Sequence, residues 1–198
     1  DSDWALPAAP GEKRGRGPQD LSDKKGAYGW NEAIRPEVQA QLDFDPSSES
    51  AQSERVAMIE AGFGAVLTHV QDGIVRGTGS LVALGSQPHG SLLIPKASTH
   101  FSFRKGTSSQ DYPRSLMGAI ALLKQTAFDA EWHENQQDAG GVAEQNLSLQ
   151  AFVDNQTLPK FFHAGGWQDA LRALNVAEEL GLETPWVIHA GNDLYQRL

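Results

Sequence analysis

Two periods organise the hydrophobic positions of this chain, one near two residues and one near 3.6, and each change of period marks an element boundary. From Ser53 the helical period predicts a helix. Ser53 is placed as its N-cap and Glu54 in its first turn; Val56, Ala57, Ile59 and Ala61 give it an apolar face, and Gly62 stops it. Phe63 to Val70 (FGAVLTHV) then reads as a short buried strand. Residues 71–80 (QDGIVRGTGS) read as a glycine-rich loop running into the apolar stretch Leu81 to Leu84. Ser91 to Ile94 and Thr99 to Phe103 read as two further strands, so the stretch from residue 71 to Phe103 reads as a β-rich excursion rather than a helix. In the second, His100, Ser102 and Arg104 share one face, while Phe101 and Phe103 share the other. Ser115 to His133 is the longest predicted helix: Pro113 precedes it, Ser115 caps it, and Leu116, Ile120, Leu123, Ala127 and Ala130 recur at helical spacing. Residues 134–146 read as a polar loop and Leu147 to Val153 as a short helix.

The tail carries the clearest pattern. Lys160 to Ala164 (KFFHA) predicts a strand, Gln168 to Leu180 a helix ended by Gly181, and Pro185 to Ala190 (PWVIHA) a second strand. Strand, helix and strand in this order make a parallel βαβ unit. At the other end, residues 1–27 hold Pro7, Pro10 and Pro18 with no sustained period and read as an irregular arm. Tyr28, Trp30, Ile34 and Val38 are the first apolar anchors, and residues 43–52 read as a second polar loop. The domain division is therefore an arm over 1–27 and one α/β body over 28–198.

Composition narrows the function classes. With 25 acidic against 16 basic residues the formal net charge is -9, so a nucleic-acid partner is not expected. The basic cluster Lys13-Arg14-Gly15-Arg16 with Lys24-Lys25 reads as a solvated loop. There is no cysteine, which excludes disulfides, thiolate ligands and a thiol nucleophile. No apolar run reaches the roughly 20 residues that span a bilayer, so no membrane partner is expected. The chain begins Asp-Ser-Asp-Trp, which reads as a processed or excised start, and periplasm and cytoplasm both stay open.

Two strands end alike, in His163-Ala164-Gly165 and His189-Ala190-Gly191. Parallel α/β folds gather functional groups at the carboxyl ends of their strands, and a crossover helix sets consecutive strands side by side. Two imidazoles at that level suit a shared zinc, nickel or iron ion. The alternative is a pair of hydrogen-bonded histidines with no metal, and the residues alone leave both open. His69, Asp72 and His100 are further candidates for the same pocket. His89 reads as part of a surface turn, and His133 as a helix-end residue facing the dipole. The segments Asp72 to Ser80 and Lys105 to Ser109 match neither the P-loop nor the dinucleotide fingerprint, and no G-x-S-x-G elbow occurs.

Four blocks carry a family resemblance: AYGWNEAIRPE (27–37), GFGAVLTHVQDGIVRGTGSLVALG (62–85), SSQDYPRSLMGAIALLKQTAFDAEWH (108–133) and FFHAGGWQDALRALNVAEELGLETPWVIHAGNDLY (161–195). Together they resemble bacterial members of the amidohydrolase superfamily related to imidazolonepropionase. The resemblance implies an α/β fold, part of a (β/α)8 TIM-like barrel that is incomplete in this chain. It also implies a divalent metal, zinc by preference, and hydrolysis of amide or cyclic amide C–N bonds in small amide or peptide-like substrates. His163 and His189 match the family's two later metal histidines. The family's His-x-His occurs nowhere in this sequence. The resemblance places that motif before Asp1, and the proton-handling aspartate after Leu198. The expectation is therefore a fragment that is inactive alone and that associates with itself or with the missing half of the barrel. Gln71 to Gly79 and Arg104 to Tyr112 are expected to be the loops that shape the pocket. Two other readings remain: a barrel-derived binding or scaffold domain that has lost its metal, and a self-contained α/β domain outside this superfamily.

Overall fold

The computed structural model describes residues 3–6, 31–43, 48–85, 91–138, 146–181, 185–189 and 191. Six strands form one sheet in chain order: β1 (Asp3–Leu6), β2 (Ala65–Val70), β3 (Val75–Ala83), β4 (Ser91–Ser102), β5 (Lys160–His163) and β6 (Trp186–His189). β1 pairs in parallel with β2, β2 to β4 form an antiparallel meander, and β4, β5 and β6 pair in parallel. Two reversals restore the direction, so β2, β4, β5 and β6 all end at the same edge of the sheet. The helices are α1 (Ala40–Asp43), α2 (Glu49–Glu60), α3 (Leu116–Asp138), α4 (Leu147–Asp154) and α5 (Trp167–Glu179).

One face of the sheet carries the core. Leu122 and Leu123 of α3, Phe152 of α4, and Ala173 and Val176 of α5 pack on Val75, Phe101 and Phe162. The buried stripe of α3 is Ala119, Leu122, Leu123, Thr126, Ala130 and His133, which follows the helical period. Because side chains alternate along a strand, Phe101 and Phe162 on this face send their neighbours His100 and His163 to the other. A smaller cluster, Ala51 with Val66, Val82 and Leu84, seats α2 on the β2–β3 end.

Several expectations are corrected. The cap of α2 is Ser48, whose hydroxyl accepts from Ala51 N, so this helix begins inside the segment read as a loop over 43–52. Glu49 then serves the first turn, as Glu54 was expected to. Residues 75–79 are not a loop but the first half of a buried strand. Their glycines misled the reading because they serve close approach: at Gly77 a Cβ would stand 2.1 Å from the Val38 carbonyl oxygen, and φ is +85°. The segment around Ile34 and Gln39 bridges to β3 across that gap. The two strands expected over 91–94 and 99–103 are one, β4, with Pro95 accommodated at a register irregularity. α3 runs to Asp138, so His133 is not at a helix end. It is buried, with Nε2 against the Gln137 side chain at 3.0 Å. Asp3–Leu6, read as part of the arm, adds the strand β1. His89 lies outside the described residues.

Candidate metal centre

The strand ends converge histidines on the face away from the helices. β2 contributes His69, β4 His100 and β5 His163, and each offers one ring nitrogen such that all three lie within 4.8 Å of one another. His69 is 1% exposed and His100 0%, while His163 is half-buried. The His69 and His100 rings stack at 4.1 Å with 4° between their planes, and His69 and His163 stack at 4.5 Å. His100 Nδ1 meets His163 Nε2 at 2.9 Å, and His100 Nε2 meets the Ser98 hydroxyl at 2.8 Å.

His189 stands directly across from His163 in the β5–β6 register. Their rings meet edge to face at 5.4 Å, and His189 is exposed. The structure thus brings together His69, His100 and His163, and sets His189 at the rim beside His163. The expected pair is adjacent, but the tightest group of nitrogens reaches back to the two histidines read only as pocket candidates. Their signal was the parallel direction of β2, β4 and β5, which becomes visible only once residues 75–83 are known to be a strand that reverses the chain.

Burial pushes the pKa of His100 well below its ordinary value, and the neighbouring His69, His163, Arg76 and His189 push the same way. At neutral pH His100 is therefore an uncharged imidazole with one lone pair, the form that binds metals. The donor set suits a divalent ion of borderline softness. His100 Nδ1 and His163 Nε2 face each other, whereas the in-plane lone pairs of the parallel His69 and His100 rings run side by side.

Asp72 does not join this group. Its carboxylate pairs with Arg35 Nη1 at 2.9 Å and accepts from the Thr107 N–H at 2.7 Å and the Thr107 hydroxyl at 2.9 Å. It ties the β2–β3 turn to the loop 103–114 and to the segment preceding α1. At Gly106 a Cβ would stand 2.0 Å from Asp72 Oδ1, so a side chain there would part the loop from its anchor. The anchored loop borders a cleft of about 910 Å³, lined by Arg104, Lys105, Arg114, Ser115 and Asp169 among others. This cleft opens beyond the ends of β4 and β5, between the N-termini of α3 and α5. Of the expected pocket loop Arg104 to Tyr112, Arg104, Lys105, Gly106, Ser109 and Asp111 line it, whereas Val75 to Gly79 lies buried in the sheet.

No family model matches the chain, and no curated protein matches it either. Among solved structures, an amidohydrolase from Thermotoga maritima is similar in fold, with a TM-score of 0.65 and 22% identity over 80% of this chain. The chain spans 44% of that protein's length.

Proposed function

We propose that this chain is the histidine-bearing part of a metal-dependent, amidohydrolase-like hydrolase of C–N bonds, its sheet forming part of a (β/α)8 barrel. The observation that carries the reading is the group of three imidazole nitrogens within 4.8 Å at the carboxyl ends of strands running in one direction. The fold likeness to an amidohydrolase supports the same class, and the sequence blocks resemble the imidazolonepropionase-related branch.

His69, His100 and His163 would hold the metal, zinc by preference, once the stacked His69 ring turns so that its lone pair converges with those of the other two, with His189 at the rim. An ion held there would supply Lewis-acid chemistry, lowering the pKa of a water toward neutrality and polarising a substrate carbonyl. The chain's own residues shape the surroundings. Burial keeps His100 uncharged. The Asp72 anchor fixes the loop 103–114, whose cleft carries Arg104, Lys105 and Arg114 together with Asp111 and Asp169 and none of the histidines. The carboxylate of Asp72 is committed to Arg35 and Thr107, so proton transfer falls to a group outside this cluster. Small acyl-amino acids or peptide-like amides are the substrate class, and the chain by itself is inactive.

A second reading, a barrel-derived domain without metal, is favoured by one observation: the His69 and His100 rings lie parallel at 4.1 Å, stacked face to face rather than with their nitrogens aimed at a common point. Metal analysis of the purified chain after zinc loading, together with calorimetric titration, separates the two. One ion per chain, lost in His69→Ala and in His163→Ala, supports the metal centre. No binding supports the scaffold reading.

A further inference from the structure

We propose that the cleft bordered by the loop 103–114 is a second binding site, separate from the histidine centre, and that it takes a zwitterionic α-amino acid with an apolar side chain. At about 910 Å³ the cleft has the size of a small-molecule site. Its charges are of both signs: Arg104, Lys105 and Arg114 line it together with Asp111 and Asp169. Most of them are committed within the protein. Arg114 pairs with Asp111, Lys105 Nζ donates to the Gln110 carbonyl, and Asp169 Oδ1 takes Arg172 Nη1 at 3.0 Å. Two groups are left over. One is the exposed Arg104 guanidinium, which has no hydrogen bond or ion pair among the described residues. The other is the second carboxylate oxygen of Asp169.

Both groups reach the space above Gly165, the residue that follows β5 by two positions. A Cβ there would stand 3.1 Å from Asp169 Oδ2 and 3.4 Å from Arg104 Nη2, yet the two side chains form no ion pair with each other. Opposite charges this near and unjoined suit a ligand that carries both. A simple anion would gain Arg104 but meet the Asp169 carboxylate, and a simple cation would meet the guanidinium. A zwitterion lays its carboxylate on Arg104 and its ammonium on Asp169 Oδ2, two charge-assisted hydrogen bonds. Phe103, Pro113, Leu116 and Ala119 line the same cleft and give its apolar wall, against which the ligand's side chain packs. Gly165 supplies the room between the two charges.

Calorimetric titration of the metal-free chain with free leucine, N-acetyl-leucine and isoamylamine tests the site. Leucine is expected to bind once per chain. Each analogue lacks one of its two charges and is expected to bind roughly 10-fold more weakly or worse. Arg104→Gln and Asp169→Asn, each shown to be folded by circular dichroism, are expected to weaken leucine binding by a similar factor. Any of three results overturns the assignment: no leucine binding by the wild-type chain, an analogue that binds as tightly as leucine, or an unchanged leucine affinity in either variant. Zinc takes no part in the titration, so failure here leaves the histidine centre standing, and failure of zinc to bind there leaves this site standing.

Discussion

His100 sits in the sheet with its ring nitrogens against Ser98 and His163 and its face against His69. Its burial has a consequence for acid stability. The folded pKa lies well below the unfolded value near 6.5. Between the two, the unfolded chain binds a proton that the folded chain does not, so stability is fully present above about pH 6.5 and is lost as the pH falls. The slope from this one group is at most about 1.4 kcal/mol per pH unit. Urea midpoints of the metal-free chain measured across that range should fall on acidification, and less steeply in His100→Gln. Asp72 is the second residue with a sharp expectation. Removing its carboxylate in Asp72→Ala strands a partly buried Arg35 and releases Thr107, for a loss of about 3 kcal/mol in a denaturant melt. Residue by residue, the adjacency of His163 and His189 was legible because they repeat the same strand-end context. The role of Asp72 was not, since its partners lie 35 and 37 positions away in sequence. Ser98 shares the period-two face of His100 and was within reach of that pattern. The room beside it comes from Gly79 in another strand, where a Cβ would stand 2.7 Å from Ser98 Oγ, and no local pattern reports that.

At the scale of elements, local sequence was informative wherever an element has its own period. α5 and its two flanking strands fall within a residue or two of the predicted bounds, because the apolar stripe, Gly181 at φ +60° and the apolar strands agree with one another. β3 failed that test. Its glycines look like a loop in one dimension, yet they answer to the segment packed against them. Gly77→Ala is expected to cost at least about 1–3 kcal/mol, since it forces a side chain into a left-handed conformation against the Val38 carbonyl. Leu122→Ala, which opens the core between α3 and the sheet, should cost about 2–5 kcal/mol with the helix content retained. Thermal melts of the two variants check both figures. The extension of α3 to Asp138 was hidden because its last turns are polar and their exposed positions carry no hydrophobic period.

At the scale of the whole molecule, the described sheet has two edges, β1 and β6. Exposed apolar side chains accompany them: Val187 on β6, Leu92, Leu93 and Ile94 on β4, and Val56 and Ile59 on α2. Unpaired strand edges and apolar patches drive association. Light scattering is therefore expected to show concentration-dependent oligomers, and a strictly monomeric chain at all concentrations would count against the open-edge account. Among the described residues no helix is long and apolar enough to cross a membrane. The α/β class was legible because the tail carries a complete βαβ unit. The β-rich character of residues 71–103 was legible as well, but not that β3 reverses the chain, and it is this reversal that returns β4 to the direction of β2 and brings three histidines to one end of the sheet. The central claim is that these imidazoles bind one metal ion, and X-ray absorption at the zinc edge of the loaded chain tests it most directly. The account predicts three imidazole nitrogens at about 2.0–2.1 Å, with their multiple-scattering pattern reduced by one ring in His69→Ala. A shell of oxygen atoms alone, unchanged in that variant, would contradict it.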